Sequence, residues 1–230
     1  MDDRAVVAGV VPIYRGGMTT DWRLAMTTLN SIEQALRHLL KPEHASRPLL
    51  CDGSPIGCEV AIVGINPGTD IQLWPYWSTV SGCNKDAWLT TFWQNPANVR
   101  KSTRRRIEDL IEGLKPLRCL ELNIYPYVSR KEAELAKELQ DISVFDFLLR
   151  TIKPKLLFVF GNTPIKELQT LLNASALPKG DFTPCTYKGA QFEVYAETHL
   201  SRGWSKDRVR SLGLALKNHI LTNSTHSSGL

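Results

Sequence analysis

Val60-Ala61-Ile62-Val63-Gly64-Ile65-Asn66-Pro67-Gly68 is the stretch that decides how this chain folds. The apolar run reads as a buried strand, and the strand stops at a Gly-x-Asn-Pro-Gly turn. Pro67 fixes its own φ and pushes Asn66 towards extended geometry, while Gly68 lets backbone approach a ligand closely. The turn therefore holds one amide side chain on a rigid loop at the carboxyl end of a sheet. Ligands of open α/β sheets bind in that region.

Outward from this strand the chain alternates helix and strand. Further strands are expected at Leu117–Ile124, Lys155–Phe160 and Phe192–Glu197. Helical spacing links Trp22, Met26, Leu29, Ile32, Leu36 and Leu39, ending at Pro42, and recurs at Ile107, Leu110, Ile111 and Leu114. Ser129 with Glu132 reads as a capping box for a helix through Leu135, Leu139, Ile142, Phe145 and Leu149. Thr163-Pro164 opens a short helix, and Val209, Leu212, Leu216 and Ile220 mark the last one. Residues 69–99 read as a long irregular loop rich in aromatics, and a loop of that length inside a compact domain is usually functional. The pattern predicts an α/β fold: a three-layer α/β/α sandwich around a central, mainly parallel four-stranded sheet. One domain is expected over residues 1–220, with a flexible tail over 221–230. Right-handed crossovers put all four strand ends on one edge. Asn66, Asn123, Gly161-Asn162 and His199 each follow such an end, so one shared site is expected.

Bulk properties bound the function. The 230 residues are 43% hydrophobic and 22% charged, an ordinary globular composition. A net charge of +5 favours a polyanionic partner. The acidic start Met1-Asp2-Asp3 lacks a secretory n-region, and no run approaches the ~18 apolar residues of a membrane span. A cytoplasmic protein (nuclear, if eukaryotic) that does not engage membranes is expected. Five cysteines form no Cys-x-x-Cys pair, and the five histidines show no metal-ligand spacing. Reduced thiols, no metal and no cofactor are expected.

The ordered motifs resemble the uracil-DNA glycosylase superfamily. Gly64-Ile65-Asn66-Pro67-Gly68 is similar to its first motif as the mismatch-specific, thymine-DNA and single-strand-selective branches carry it. Leu122-Asn123 is similar to the strand-end Asn that reads the uracil edge. Leu157-Phe158-Val159-Phe160-Gly161-Asn162 resembles the third-strand signature. Thr198-His199-Leu200-Ser201-Arg202-Gly203-Trp204 resembles the second motif, a His followed by a loop that wedges into DNA. The match spans roughly residues 58–220. Two departures qualify it. Leu200 stands where the family usually has Pro, which implies a less rigid loop. Asn66 replaces the acid of the fast uracil-specific branch, and Gly68 replaces its bulky aromatic, which implies a slower enzyme with a roomier pocket. The four-cysteine iron–sulfur branch is not matched.

The resemblance implies a monofunctional DNA glycosylase that removes uracil, or another deaminated or damaged base, from DNA, acting as a monomer. Asn66 and His199 are then the catalytic residues. Asn66 holds the water, and His199 donates to the uracil O2 where charge grows. Asn123 reads N3–H and O4, so cytosine, with the opposite pattern, is rejected. Gly64, Ile65, Pro67 and Gly68 shape the pocket. A flipped base needs an aromatic platform, with Trp77 first by nearness to Asn66, then Tyr76 and Trp74. Ser201, Arg202, Gly203, Trp204, Lys206 and Arg208 form the DNA-binding loop and helix start, with Arg202 or Trp204 filling the vacated stack.

Plainer readings stand beside these. Asn66 is a turn residue, Asn123 a strand-end cap, His199 a surface histidine, and the aromatics of 74–93 core packing. Arg104/Glu108 and Arg105/Asp109 at i,i+4 spacing read as a solvated, ion-paired helix face rather than a nucleic-acid patch. Two rival functions remain: a catalytically silent member of the fold that binds DNA or a protein partner, and an α/β protein acting on free nucleotides.

Overall fold

The computed structural model describes residues 27–98 and 102–226. Trp22 and Met26 of the expected first helix, and the basic pair Arg100 and Lys101, lie outside the described residues. The chain runs α1 (Leu29–Leu39), β1 (Leu49–Cys51), β2 (Val60–Gly64), a short hairpin of β3 (Trp77–Ser78) and β4 (Gly82–Cys83), α2 (Lys85–Gln94), α3 (Ser102–Leu114) and β5 (Cys119–Asn123). It continues through α4 (Ser143–Ile152), β6 (Leu156–Phe160), α5 (Asn162–Leu172), β7 (Phe182–Tyr187), β8 (Ala190–Glu197) and α6 (Lys206–His226).

The main sheet has the order β1-β5-β2-β6-β8-β7. The four expected strands, β5, β2, β6 and β8, are its parallel centre. The sheet is nevertheless six-stranded, because β1 and β7 add antiparallel edges. Both edges are hidden in sequence for physical reasons. β1 is three residues long, bounded by Pro48 and by Asp52-Gly53. β7 contains Pro184, which an edge strand tolerates because no outer neighbour needs its N–H. It joins β8 through Lys188-Gly189, both at positive φ, as a tight two-residue hairpin turn requires.

Side chains alternate across the sheet. Ala61, Val63, Leu120, Leu122, Leu157 and Val159 face a core closed by Ile32 and Leu36 of α1, Phe145 and Leu149 of α4, and Leu168 of α5. Val60, Ile62, Leu156, Phe158 and Phe160 face Ile107, Leu110 and Leu114 of α3 and Val209, Leu216 and Ile220 of α6. Helices on both faces make the three-layer sandwich. The capping-box helix after Ser129 is absent: two 3-10 turns, Glu132–Glu134 and Lys137–Leu139, occupy that stretch, and α4 starts only at Ser143. Residues 69–99 are not an irregular loop either, since they hold the β3–β4 hairpin and α2. The last helix extends to His226, past the expected boundary at 220, and residues 227–230 lie outside those described. Among the described residues no helix is long and apolar enough to cross a membrane.

Helices α3 and α6 touch backbone to backbone. A Cβ on Gly113 would lie 2.3 Å from the Arg210 carbonyl oxygen, and one on Gly213 2.5 Å from that of Leu110. Neither obstacle is a flexible side chain, so the helices must separate to admit a methyl group. Gly113→Ala is expected to destabilise the protein by about 1–3 kcal/mol through overpacking, partly offset by about 1 kcal/mol of helix propensity. Urea unfolding measures the difference. A variant as stable as wild type would mean that the helices do not cross so closely.

Candidate active site

β2 lies between β5 and β6, so the chain reaches opposite sides of β2 in succession. Loops leaving these strands diverge and open a crevice at their carboxyl ends. A cavity of about 910 Å³ occupies that place. Its wall includes Gly64, Ile65, Asn66 and Gly68 of the first motif, Asn123 of β5, Phe160 and Gly161 of β6, and His199 and Arg202 of the loop after β8. The expected convergence of four strand ends is therefore met. The five cysteines are free thiols, and among the described residues no cluster of His, Cys, Asp and Glu could hold a metal ion.

The first-motif loop is held by continuing β2–β5 pairing beyond the strands. Ile124, Tyr125 and Ser129 N–H groups donate to the carbonyls of Gly64, Ile65 and Pro67 at 3.0, 2.8 and 3.0 Å. Asn66 Nδ2 donates to the Ser129 carbonyl at 2.8 Å and to that of Pro67 at 3.2 Å. With both amide N–H bonds spent on backbone, its Oδ1 remains as an acceptor, suited to a water that donates. Pro67 is buried beneath this loop rather than in the cavity wall.

Asn123 Nδ2 donates to the Arg47 carbonyl at 3.3 Å, leaving one N–H and Oδ1 for a ligand. A Cβ added at Gly64 would sit 3.4 Å from Asn123 Oδ1 and 3.5 Å from Phe160 Cζ. Glycine thus keeps open the slot between a carboxamide and an aromatic ring. His199 stands against the same ring, its centroid 5.6 Å from that of Phe160 in an edge-on arrangement. Gly161, at φ +102°, lets the chain turn beneath His199, whose Cδ2 would lie 3.5 Å from a Cβ there.

The tautomer of His199 follows from its neighbours. The Ser201 backbone N–H donates to Nδ1 at 3.3 Å, and Ser201 Oγ lies 2.7 Å from the same nitrogen. A backbone N–H cannot accept, so Nδ1 is the acceptor and Nε2 carries the proton. Burial, aided by the positive charge of Arg202, lowers the pKa from 6.5 and keeps the ring neutral at pH 7. Ser201, expected in the DNA-binding loop, is thus engaged in orienting His199. Leu200 is fully buried among α3 and α6 side chains, so the loop is anchored by apolar burial where a proline was missing.

The other expected residues lie elsewhere. Trp77 Nε1 donates to Glu33 of α1 at 2.9 Å, Arg37 covers the Trp74 ring at 4.2 Å, and neither these rings nor Tyr76 line the cavity. Nearness to Asn66 in sequence misled the choice of platform: the 3-10 turn at Trp74–Tyr76 leads this segment onto α1. Phe160 is the ring beside the polar groups, and its signal was strand alternation within Leu157–Phe160. Trp204 Nε1 donates to Thr198 Oγ1 at 3.2 Å, and Arg208 stacks on its indole at 4.2 Å. Gly203, at φ +71°, turns the loop, while Arg202 and Lys206 are exposed.

Sequence reading missed a buried charge cluster in the cavity wall. Arg104 pairs with Glu121 through both of its terminal nitrogens and with Glu108 at 2.8 Å; Lys85 reaches Glu108 at 3.0 Å and Glu121 at 3.1 Å. Arg104 belongs to the expected i,i+4 pair but is buried, not solvated. Asp109 pairs with Arg106 at 2.6 Å. The available signal was Glu121 itself, a lone carboxylate inside the apolar strand Leu120-Glu121-Leu122. Trp88 of α2 lies under two guanidinium groups, Arg47 at 4.6 Å and Arg104 at 5.3 Å from its ring centroid.

The geometry defines an α/β sandwich with a polar site at its switch point. No protein-family model matches the chain, and no curated protein matches it.

Proposed function

We propose that the chain is a monofunctional DNA glycosylase that hydrolyses the N-glycosidic bond of uracil, or of a related deaminated base, in DNA. The observation that carries this reading is one cavity wall holding Asn66, Asn123, neutral His199 and the Phe160 ring. A pyrimidine extruded into the slot beside Gly64 lies against Phe160. Asn123 Oδ1 accepts from N3–H, and its second Nδ2 proton goes to O4. Cytosine would leave both groups unpaired.

As the N1–C1′ bond breaks, its electron pair departs with the base and spreads onto O2 and O4. The Nε2–H of His199 donates to O2, where a preorganised donor is worth on the order of 3 kcal/mol. Asn66 Oδ1 holds the water whose oxygen bonds C1′, and that water's proton goes to solvent. An amide is a poor base, so orientation rather than proton abstraction is its part. Arg202, exposed at the loop tip, fills the vacated stack more readily than Trp204, which is tied to Thr198 and Arg208.

Single-turnover assays on uracil-containing single- and double-stranded oligonucleotides test the proposal, with abasic-site formation as the expected result. DNA binding that weakens with salt but yields no abasic site would favour the catalytically silent reading instead. The pH profile is a further check. Excision requires neutral His199, so the rate should be flat at pH 7 and fall on acidification through a pKa below 6.5. Arg202→Gln removes one of the two causes of that depression, so the acid limb should move to higher pH while staying below 6.5. A limb that stays in place would separate it from His199.

A further inference from the structure

The reading above gives no part to the buried charge cluster, and Arg47 is the cation of that cluster that lines the cavity without a carboxylate partner among the described residues. It is 8% exposed, stands in the cavity wall, and its backbone carbonyl accepts from Asn123 Nδ2. Its guanidinium donates to Thr69 Oγ1 at 3.2 Å and makes no ion pair with a described carboxylate. Beyond Thr69 the guanidinium has no described acceptor, and its other nitrogens are not sealed from solvent, so its remaining donors open onto the cavity, where a ligand can take them up. The charge count agrees. Among the described residues, Arg47, Lys85 and Arg104 stand against Glu108 and Glu121, so the cluster holds one positive charge in excess. Burial and the repulsion of Arg104 bring the Arg47 pKa down to about 10, still well above neutral pH. Trp88 beneath both guanidinium groups and Thr69 at Nη1 fix the orientation of Arg47.

We propose that Arg47 is a catalytic residue of the glycosylase reaction, donating to the O4 side of the bound base and holding the negative charge that collects there as the base departs. The inference rests on the glycosylase reading. The N1–C1′ electron pair leaves with the base, and its charge divides between O2, facing His199, and O4, facing Arg47 beside Asn123. Water oxygen bonds C1′ and releases a proton to solvent, and the freed base is reprotonated at N1. A guanidinium has no acceptor, so the same contact rejects an exocyclic amine at that position.

The test compares wild type, Arg47→Lys and Arg47→Met in single-turnover excision of uracil and of 5-fluorouracil, whose base is the better leaving group. Uracil excision by Arg47→Met should fall on the order of 10- to 100-fold, as expected for a lost charge-assisted hydrogen bond. 5-Fluorouracil excision should fall only a few-fold, because less charge stabilisation is needed, and Arg47→Lys should lie between. A role confined to packing would lower both substrates equally. Calorimetric binding of free 5-nitrouracil, whose nitro group makes it an anion at neutral pH, compared with neutral uracil supplies a readout independent of turnover. Wild type should prefer the anion, and Arg47→Met should lose that preference. Should Arg47→Met fail to fold, Thr69→Val, which releases Nη1, should shift both readouts in the same direction by less.

Equal losses on both substrates, or an anion preference that survives in Arg47→Met, overturns the proposal while leaving the glycosylase reading intact. Absence of excision by wild type, with an anion preference that depends on Arg47, removes the glycosylase reading and retains an anion-binding subsite. A wild type indifferent to the charge of 5-nitrouracil overturns the assignment of Arg47 outright.

Discussion

A Glu121→Gln protein should unfold about 3–5 kcal/mol more easily than wild type, the usual consequence of removing one partner from a buried ion pair. Glu121 is 7% exposed and answers both Arg104 and Lys85. Burial alone would raise its pKa, but Arg104 and then Lys85 overcome this and hold the carboxyl down to about 2. Glutamine keeps the shape and removes the charge, leaving three buried cations with Glu108 as their only carboxylate among the described residues. The sign with pH is fixed by the same depression. Stability from Glu121 is fully present above the ordinary value of 4.5 and is lost as pH falls towards about 2. Urea midpoints for wild type should therefore decline across that window, and those of the variant should decline less. Replacing the pair together, as Glu121→Leu with Arg104→Met, should cost much less than Glu121→Gln alone, since apolar replacement of a whole buried pair is often neutral. A single variant within 1 kcal/mol of wild type would show that water reaches these charges.

The contrast between Asn123 and Arg47 explains how much of the site can be read from sequence. Asn66, Asn123 and His199 each sit just beyond a strand, and parallel topology forces such positions to one edge whatever the details of packing. Their meeting is a consequence of element order, which hydrophobic pattern encodes locally. Arg47 precedes a three-residue edge strand and is placed by Trp88 and Thr69, residues it reaches only after β1, β2 and α2 have packed. No local period announces that. Trp77 shows the converse error, because short sequence separation from Asn66 says nothing about direction once a 3-10 turn intervenes. The edge strands were lost to Pro48, Pro184 and shortness, and α2 because its buried face, Lys85, Trp88 and Phe92, begins with a charge that breaks the apolar stripe. Phe160 was within reach, being the last inward residue of a strand already assigned.

Removing the His199 imidazole should have the largest effect on activity. His199→Ala is expected to slow uracil excision by about 10²–10³-fold, the cost of one preorganised donor aimed at developing charge. Ser201 supports this through Nδ1, so Ser201→Ala should lose less, acting only by freeing the ring to turn. Asn66→Ala is expected to cost about 10²-fold by releasing the water. Asn66→Asp is more informative, because the fast branch of the resembling family carries an acid at that position. Here the side chain meets two acceptors, the carbonyls of Ser129 and Pro67, to which the amide now donates. A carboxylate cannot donate, so at neutral pH Asn66→Asp should destabilise the fold by about 1–3 kcal/mol rather than create a faster enzyme. Its pKa is raised by those carbonyls, so the penalty should shrink as pH falls and the acid regains a donor. Paired urea titrations at pH 7 and pH 5, alongside single-turnover rates, measure both effects. An Asn66→Asp enzyme that is stable at pH 7 and faster than wild type would mean that Asn66 faces the substrate with its nitrogen, and that its water-holding role is misassigned.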